Sequence, residues 1–139
     1  MAGVCALVWL AALSVYDVRE RRLPNWLTMP GAAIIIVAAA MHGRGAAAVL
    51  GAVALFAVYA VIHLVSPAAM GAGDVKLAIG IGALTGTFGV DVWVLAAVGA
   101  PLLTAGWAVV ALLCRSGQTV PHGPSMCLAA VAATTLVLL

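Results

Sequence analysis

The chain is short of charge. Its 139 residues include six Lys or Arg and four Asp or Glu, 7% in all, while 66% is apolar and the mean hydropathy is +1.26. So few charges cannot keep a chain of this size in solution, which excludes the soluble classes and leaves an all-α, polytopic membrane protein in the lipid bilayer. Cysteine is equally scarce. Cys5, Cys114 and Cys127 are odd in number, widely spaced and set in or beside apolar runs, a pattern that excludes a disulfide framework and reads as small buried hydrophobes. With no CxxC pair there is no case for structural zinc, so no metal and no cofactor are expected. The net charge of +2 is scattered over loops rather than gathered on one face, and no nucleic-acid partner is implied. Residues 1–139 are expected to form a single transmembrane domain without an extramembrane module. The first apolar run has neither a basic n-region nor a clear small-x-small cleavage site, so it reads as a retained helix and not a signal peptide.

What is there falls into six apolar runs separated by polar breaks. The first helix is predicted from Ala2 to Tyr16, continuing into the arginines until Pro24, because the residue before a proline is pushed out of helical geometry. The second covers Trp26 to Met41, with Pro30 in its first turns, and the third Ala46 to Val65. The fourth begins at Asp74 and reaches Leu84, the fifth runs from Val92 to Cys114 with Pro101 as a kink, and the last from Ser125 to Leu139. Six transmembrane helices put both termini on one side. Lys and Arg collect on cytoplasmic loops. Loops one, three and five hold Arg19, Arg21, Arg22, Lys76 and Arg115, whereas loops two and four hold only Arg44. Both termini are therefore expected outside, and Gly43 and Gln118 should lie on opposite faces.

The acids are Asp17, Glu20, Asp74 and Asp91. Asp74 stands in Gly71-Ala72-Gly73-Asp74-Val75-Lys76, a glycine-broken entry to an apolar helix. A carboxylate at mid-bilayer costs roughly 2.5 to 3.5 kcal/mol on insertion scales, so it calls for a function and a partner. Asp17 closes the first apolar run and falls on the same, cytoplasmic, face, which makes it the partner. Each has an ordinary alternative: Asp74 as a helix N-cap, Asp17 as a solvated charge among arginines. Their joint placement favours one site.

Two carboxylates in a partly dry site share a proton, and such a dyad can activate water with one member while the other polarises a peptide carbonyl. Gly71 and Gly73 would allow a sharp turn and let an extended substrate backbone approach. A side chain at Gly73 is accordingly expected to cost more activity than one at Gly82. Asp74 at a helix N-terminus favours ionisation and the base role, whereas Asp17 at a helix C-terminus favours the acid role. Lys76, two residues on, points away from Asp74. Arg19, Arg21 and Arg22 read as headgroup anchors, Glu20 and Asp91 as solvated, and His42 and His63 as interfacial or packing residues. His122, between Pro121 and Pro124, has no assigned role.

These residues carry a resemblance. Asp17 is followed at seven residues by Pro24-Asn25, with Leu27-Thr28 and Pro30 after it. Then comes Gly71-Ala72-Gly73-Asp74-Val75-Lys76-Leu77, in the GxGD pattern, and a weaker echo in Val120-Pro121-His122-Gly123-Pro124. In this order and over nearly the whole chain, the sequence resembles the type IV prepilin peptidase family of membrane aspartyl proteases. The resemblance implies Asp17 and Asp74 as the catalytic pair, with Gly71 and Gly73 shaping the turn. It also implies a cytoplasm-facing active site in the inner or plasma membrane, with prepilin or pseudopilin proteins as substrates. Longer members carry an N-terminal cytosolic loop with paired CxxC motifs and often methylate the new N-terminus using S-adenosylmethionine. This chain has neither loop nor cysteine pairs, so it is similar to the minimal, archaeal-preflagellin-peptidase or tight-adherence-pilus type. One rival is a non-proteolytic protein using the two Asp as a proton or cation path. Helices two, three and six are apolar through their middles and only Thr104 in helix five offers an oxygen near mid-depth, which disfavours it. Another is a catalytically silent scaffold of a pilus machine.

Overall fold

The computed structural model describes residues 2–117 and 119–138. Gln118 and Leu139, which figure in the expectations above, lie outside the described residues. The described residues form six helices: α1 (Ala2–Glu20), α2 (Asn25–Met41), α3 (Gly45–Val65), α4 (Ala72–Gly86), α5 (Val90–Leu113) and α6 (Gly123–Leu138). The order is as expected, with several boundaries moved. Helix α1 stops at Glu20 without reaching Pro24, because Arg21 takes a left-handed φ of 51° and its N–H bonds back to the Asp17 carbonyl at 3.0 Å, a common way to end a helix. Helix α4 starts two residues before Asp74, and α6 starts at Gly123, ahead of Ser125. Helix α5 continues through Pro101.

Helix α4 is the centre, packing on α2, α3, α5 and α6. Its small residues permit this. The α3–α4 seam is glycine on glycine: a Cβ at Gly82 would lie 2.3 Å from the Gly51 carbonyl oxygen, and one at Gly86 would lie 2.7 Å from that of Ala47. Gly82 and Gly86 form the small-xxx-small spacing by which membrane helices approach closely, where packing contacts replace the hydrophobic drive available in water. Two indoles tie the helices at their flanks. Trp93 Nε1 donates to the Gly51 carbonyl at 3.0 Å, and Trp9 Nε1 donates to that of Leu27 at 2.9 Å while its ring lies against Gly31 and Gly80. Interhelical hydrogen bonds of this kind contribute about 0.6 to 2 kcal/mol each in membranes.

Beyond a core that includes Leu13, Leu55, Leu77 and Ile81, many large apolar side chains face outward. Leu50, Leu64, Leu102, Trp107 and Leu112 are exposed, a surface that water would not tolerate over such an area. Helices α3 and α5 are long and apolar enough to cross a bilayer. The expectation that all three cysteines are buried is corrected here. Only Cys127 is buried, whereas Cys5 and Cys114 sit on the outward apolar surface, where a thiol is tolerated as a small hydrophobe.

Candidate active site

The end of the bundle where α1 finishes and α2 begins also holds the α3–α4 and α5–α6 connections. Three bonds tie it together across helices: Lys76 Nζ donates to Asn25 Oδ1 at 2.9 Å, Arg21 donates to the Thr119 hydroxyl, and the Gly123 N–H donates to Asp17 Oδ2 at 3.1 Å. Asp17 lies here, buried at 9% exposure, and Asp74 is half-buried close enough for the two carboxylates to repel each other electrostatically. The two expected site aspartates are thus brought together from α1 and α4.

Asp74 is the third residue of α4 rather than its cap. Gly71 holds the cap position, with the Asp74 carboxylate reaching back toward its backbone N–H, as the third helical residue does in a capping box. The expected glycine-dependent turn into α4 is not found. Gly71 has φ −71° and ψ 148°, open to any residue, and Gly73 is helical with Leu23 at an ordinary 3.4 Å from where its Cβ would be. Neither glycine is required by a strained turn. Gly82 is the tighter site, so a side chain there meets more resistance from packing than one at Gly73. Lys76 is engaged by Asn25, in line with its direction away from Asp74, and Glu20 and Asp91 are exposed.

Asp17 departs from expectation in one respect. Three positions before the last residue of α1 it faces that helix's negative pole, but its carboxylate accepts the N–H of Gly123, the first residue of α6. Each carboxylate therefore sits at the positive end of a helix, α4 for Asp74 and α6 for Asp17. The helix-end argument that divided them into base and acid no longer separates them.

Sequence reasoning missed the groups that frame the pair. Tyr59 of α3 is 3% exposed and lies within electrostatic reach of Asp74. Its hydroxyl is 3.1 Å from His122 Nε2, and His122 Nδ1 is 2.6 Å from the Thr104 hydroxyl. Cys127, buried beside Ser14, is within electrostatic reach of both carboxylates. On the Asp74 side, the His63 Nδ1–H donates to the Met70 carbonyl at 2.7 Å, bracing the segment that enters α4. A tyrosine and a histidine in a helix apolar in all its other residues were the available signal; the register of Tyr59 against α6 was not readable. A separate apolar groove of about 810 Å³ runs along Trp9, Ile35, Leu84 and Phe88, and none of its lining residues belongs to this site.

A helical bundle with a half-dry aspartate pair at one end defines a candidate membrane aspartyl hydrolase. The model of the type IV leader peptidase family matches residues 4–139, and the chain belongs to that family. No curated protein and no solved structure matches it. The family is one of peptidases, aspartic in type, and α3 and α5 are apolar and long enough to cross a membrane.

Proposed function

We propose that this protein is an intramembrane aspartyl endopeptidase that removes the leader peptide from type IV prepilin-like or pseudopilin substrates. The observation that carries the reading is the meeting of Asp17 and Asp74 at one end of the bundle, each beside the backbone N–H of a helix start. In this reading burial and mutual repulsion together let the pair hold one proton between them. The ionised carboxylate takes a proton from water as its oxygen attacks the scissile carbonyl, and the protonated one donates to the carbonyl oxygen. Proton return to the leaving amine then breaks the C–N bond, with no covalent intermediate.

All six helices are taken to span the bilayer, with the aspartate end in the cytoplasm. Arg19, Arg21, Arg22, Lys76 and Arg115 flank that end against Arg44 at the other, as the positive-inside bias requires. Both termini then lie outside. Gly71, exposed at the entry to α4, and Gly73 behind it would border the extended substrate backbone. The test is co-expression with a prepilin and a gel-shift assay. Asp17→Asn and Asp74→Asn should each abolish leader cleavage and still insert in the membrane, because the amide keeps the shape and removes the titration. Substantial cleavage by either variant overturns the reading.

A further inference from the structure

The polar chain running from α5 through His122 to α3 ends beside the aspartates, and its hydrogens can be assigned. The Ala100 carbonyl can only accept, and it takes the Thr104 hydroxyl proton at 3.0 Å. With the Thr104 proton on Ala100, Thr104 Oγ1 accepts from His122 and Nδ1 carries the imidazole proton. His122 Nε2 is then bare and accepts the Tyr59 O–H. Burial favours the neutral ring, pushing the His122 pKa down. The Tyr59 and His122 rings also pack at a centroid distance of 5.7 Å.

This arrangement bears on Asp17 through one peptide unit. The residue after His122 is Gly123, whose N–H donates to Asp17, so a ring held at both nitrogens restrains the backbone that carries that donor. At the other end of the chain, Tyr59 lies near Asp74 with its hydroxyl proton already given away. We propose that His122 is a positioning residue for the aspartate pair: clamped between Thr104 and Tyr59, it holds the Gly123 N–H on Asp17 and fixes the Tyr59 hydroxyl beside Asp74. This deepens the protease reading and rests on it. His122 touches neither reacting atoms nor substrate in this role.

The experiment uses the full chain in detergent with a prepilin substrate, measuring kcat and KM, together with nitrogen-15 spectra of the histidine rings. His122→Phe keeps the ring and loses both hydrogen bonds. It should lower kcat by roughly 10- to 100-fold, since a misplacement of about 1 Å can cost about 10²-fold. KM should stay within about twofold, the mark of an interaction used in the transition state. His122→Asn, whose amide can still donate to Thr104, should recover part of the rate. Adding Tyr59→Phe to His122→Phe should cost little more, because the two act through one bond. The spectra of the wild-type chain should show a protonated Nδ1 and a bare Nε2, with only the Nε2 signal moved strongly by Tyr59→Phe. A wild-type kcat in His122→Phe, or a protonated Nε2 in the spectra, overturns the assignment, and the spectra decide even where a variant fails to fold. Loss of cleavage in Asp17→Asn and Asp74→Asn alongside an unaffected His122→Phe would sink this inference alone; cleavage by the aspartate variants would sink the protease reading itself.

Discussion

Asp17, near the end of α1, accepts a hydrogen bond from Gly123, the residue that begins α6, at 3.1 Å across 106 positions of sequence. The bond explains why a buried carboxylate is tolerated so close to its own helix's negative pole: a second helix offers its positive end. It also gives Gly123 a specific reason to lack a side chain. A Cβ there would stand 2.6 Å from Asp17 Oδ2 and 3.0 Å from its Cγ.

Gly123→Ala therefore sets a methyl group against the movable end of a side chain and not against backbone. The carboxylate can swing away at small cost to the fold, but it then leaves the geometry shared with Asp74. The expected outcome is a fall in kcat of about 10²-fold, the order that an ångström-scale misplacement gives, with a melting temperature close to wild type. Undiminished cleavage would show that the Gly123 contact does not set the position of Asp17.

Glycines on the α3–α4 seam should behave in the opposite way. Gly51→Ala or Gly82→Ala drives a methyl to 2.3 Å from a backbone oxygen of the facing helix. Neither backbone can yield locally, so the helices must separate, at a cost of about 1 to 3 kcal/mol as for other overpacked sites. Gly106→Ala meets nothing within 4 Å and is the matched control. Thermal melts in detergent should rank both seam variants below Gly106→Ala, and equal stabilities would mean that the seam is loose.

Sidedness can be read by thiol labelling. Cys5 and Cys114 are exposed, so both are first replaced. His42 is a better reporter than Gly43, because Gly43 has a φ of 72° that a cysteine would strain, and Gly117 reports on the α5–α6 connection. A membrane-impermeant reagent should label His42→Cys in intact cells and Gly117→Cys only after permeabilisation. Labelling of Gly117→Cys in intact cells would put the aspartates outside.

The sequence made the six helices and the Asp17–Asp74 pairing legible for a simple reason. Apolar runs and charged breaks are local features, and scarce carboxylates leave few possible partners. The α6 contact with Asp17 was not legible, because no local pattern states which helix start will dock beside which side chain. The same holds for Gly82. Its spacing to Gly86 could be read along α4, but its opposition to Gly51 is a property of two helices together. Thr104 shows how far context can move a meaning. A hydroxyl noted only as a lone mid-depth oxygen turns out to be committed to His122 and Ala100.

His122 should also leave a mark on stability against pH. Its ordinary value is 6.5, and burial lowers it in the folded protein. The unfolded chain therefore binds a proton at this position that the folded chain refuses, so stability rises with pH through that interval. The contribution is fully present above the unfolded value of 6.5 and is lost as pH falls from there toward the lower folded value. Protonation would also put a hydrogen on Nε2, where the Tyr59 O–H now donates, and that bond would have to reverse. Replacing His122 with phenylalanine removes this site of differential proton uptake and leaves the carboxylates and other histidines in place. Melting temperatures in detergent between pH 7 and about 5 should fall more steeply for the wild-type chain than for His122→Phe, the window following from the ordinary histidine value. Parallel slopes would show that His122 takes up its proton as readily in the fold as out of it.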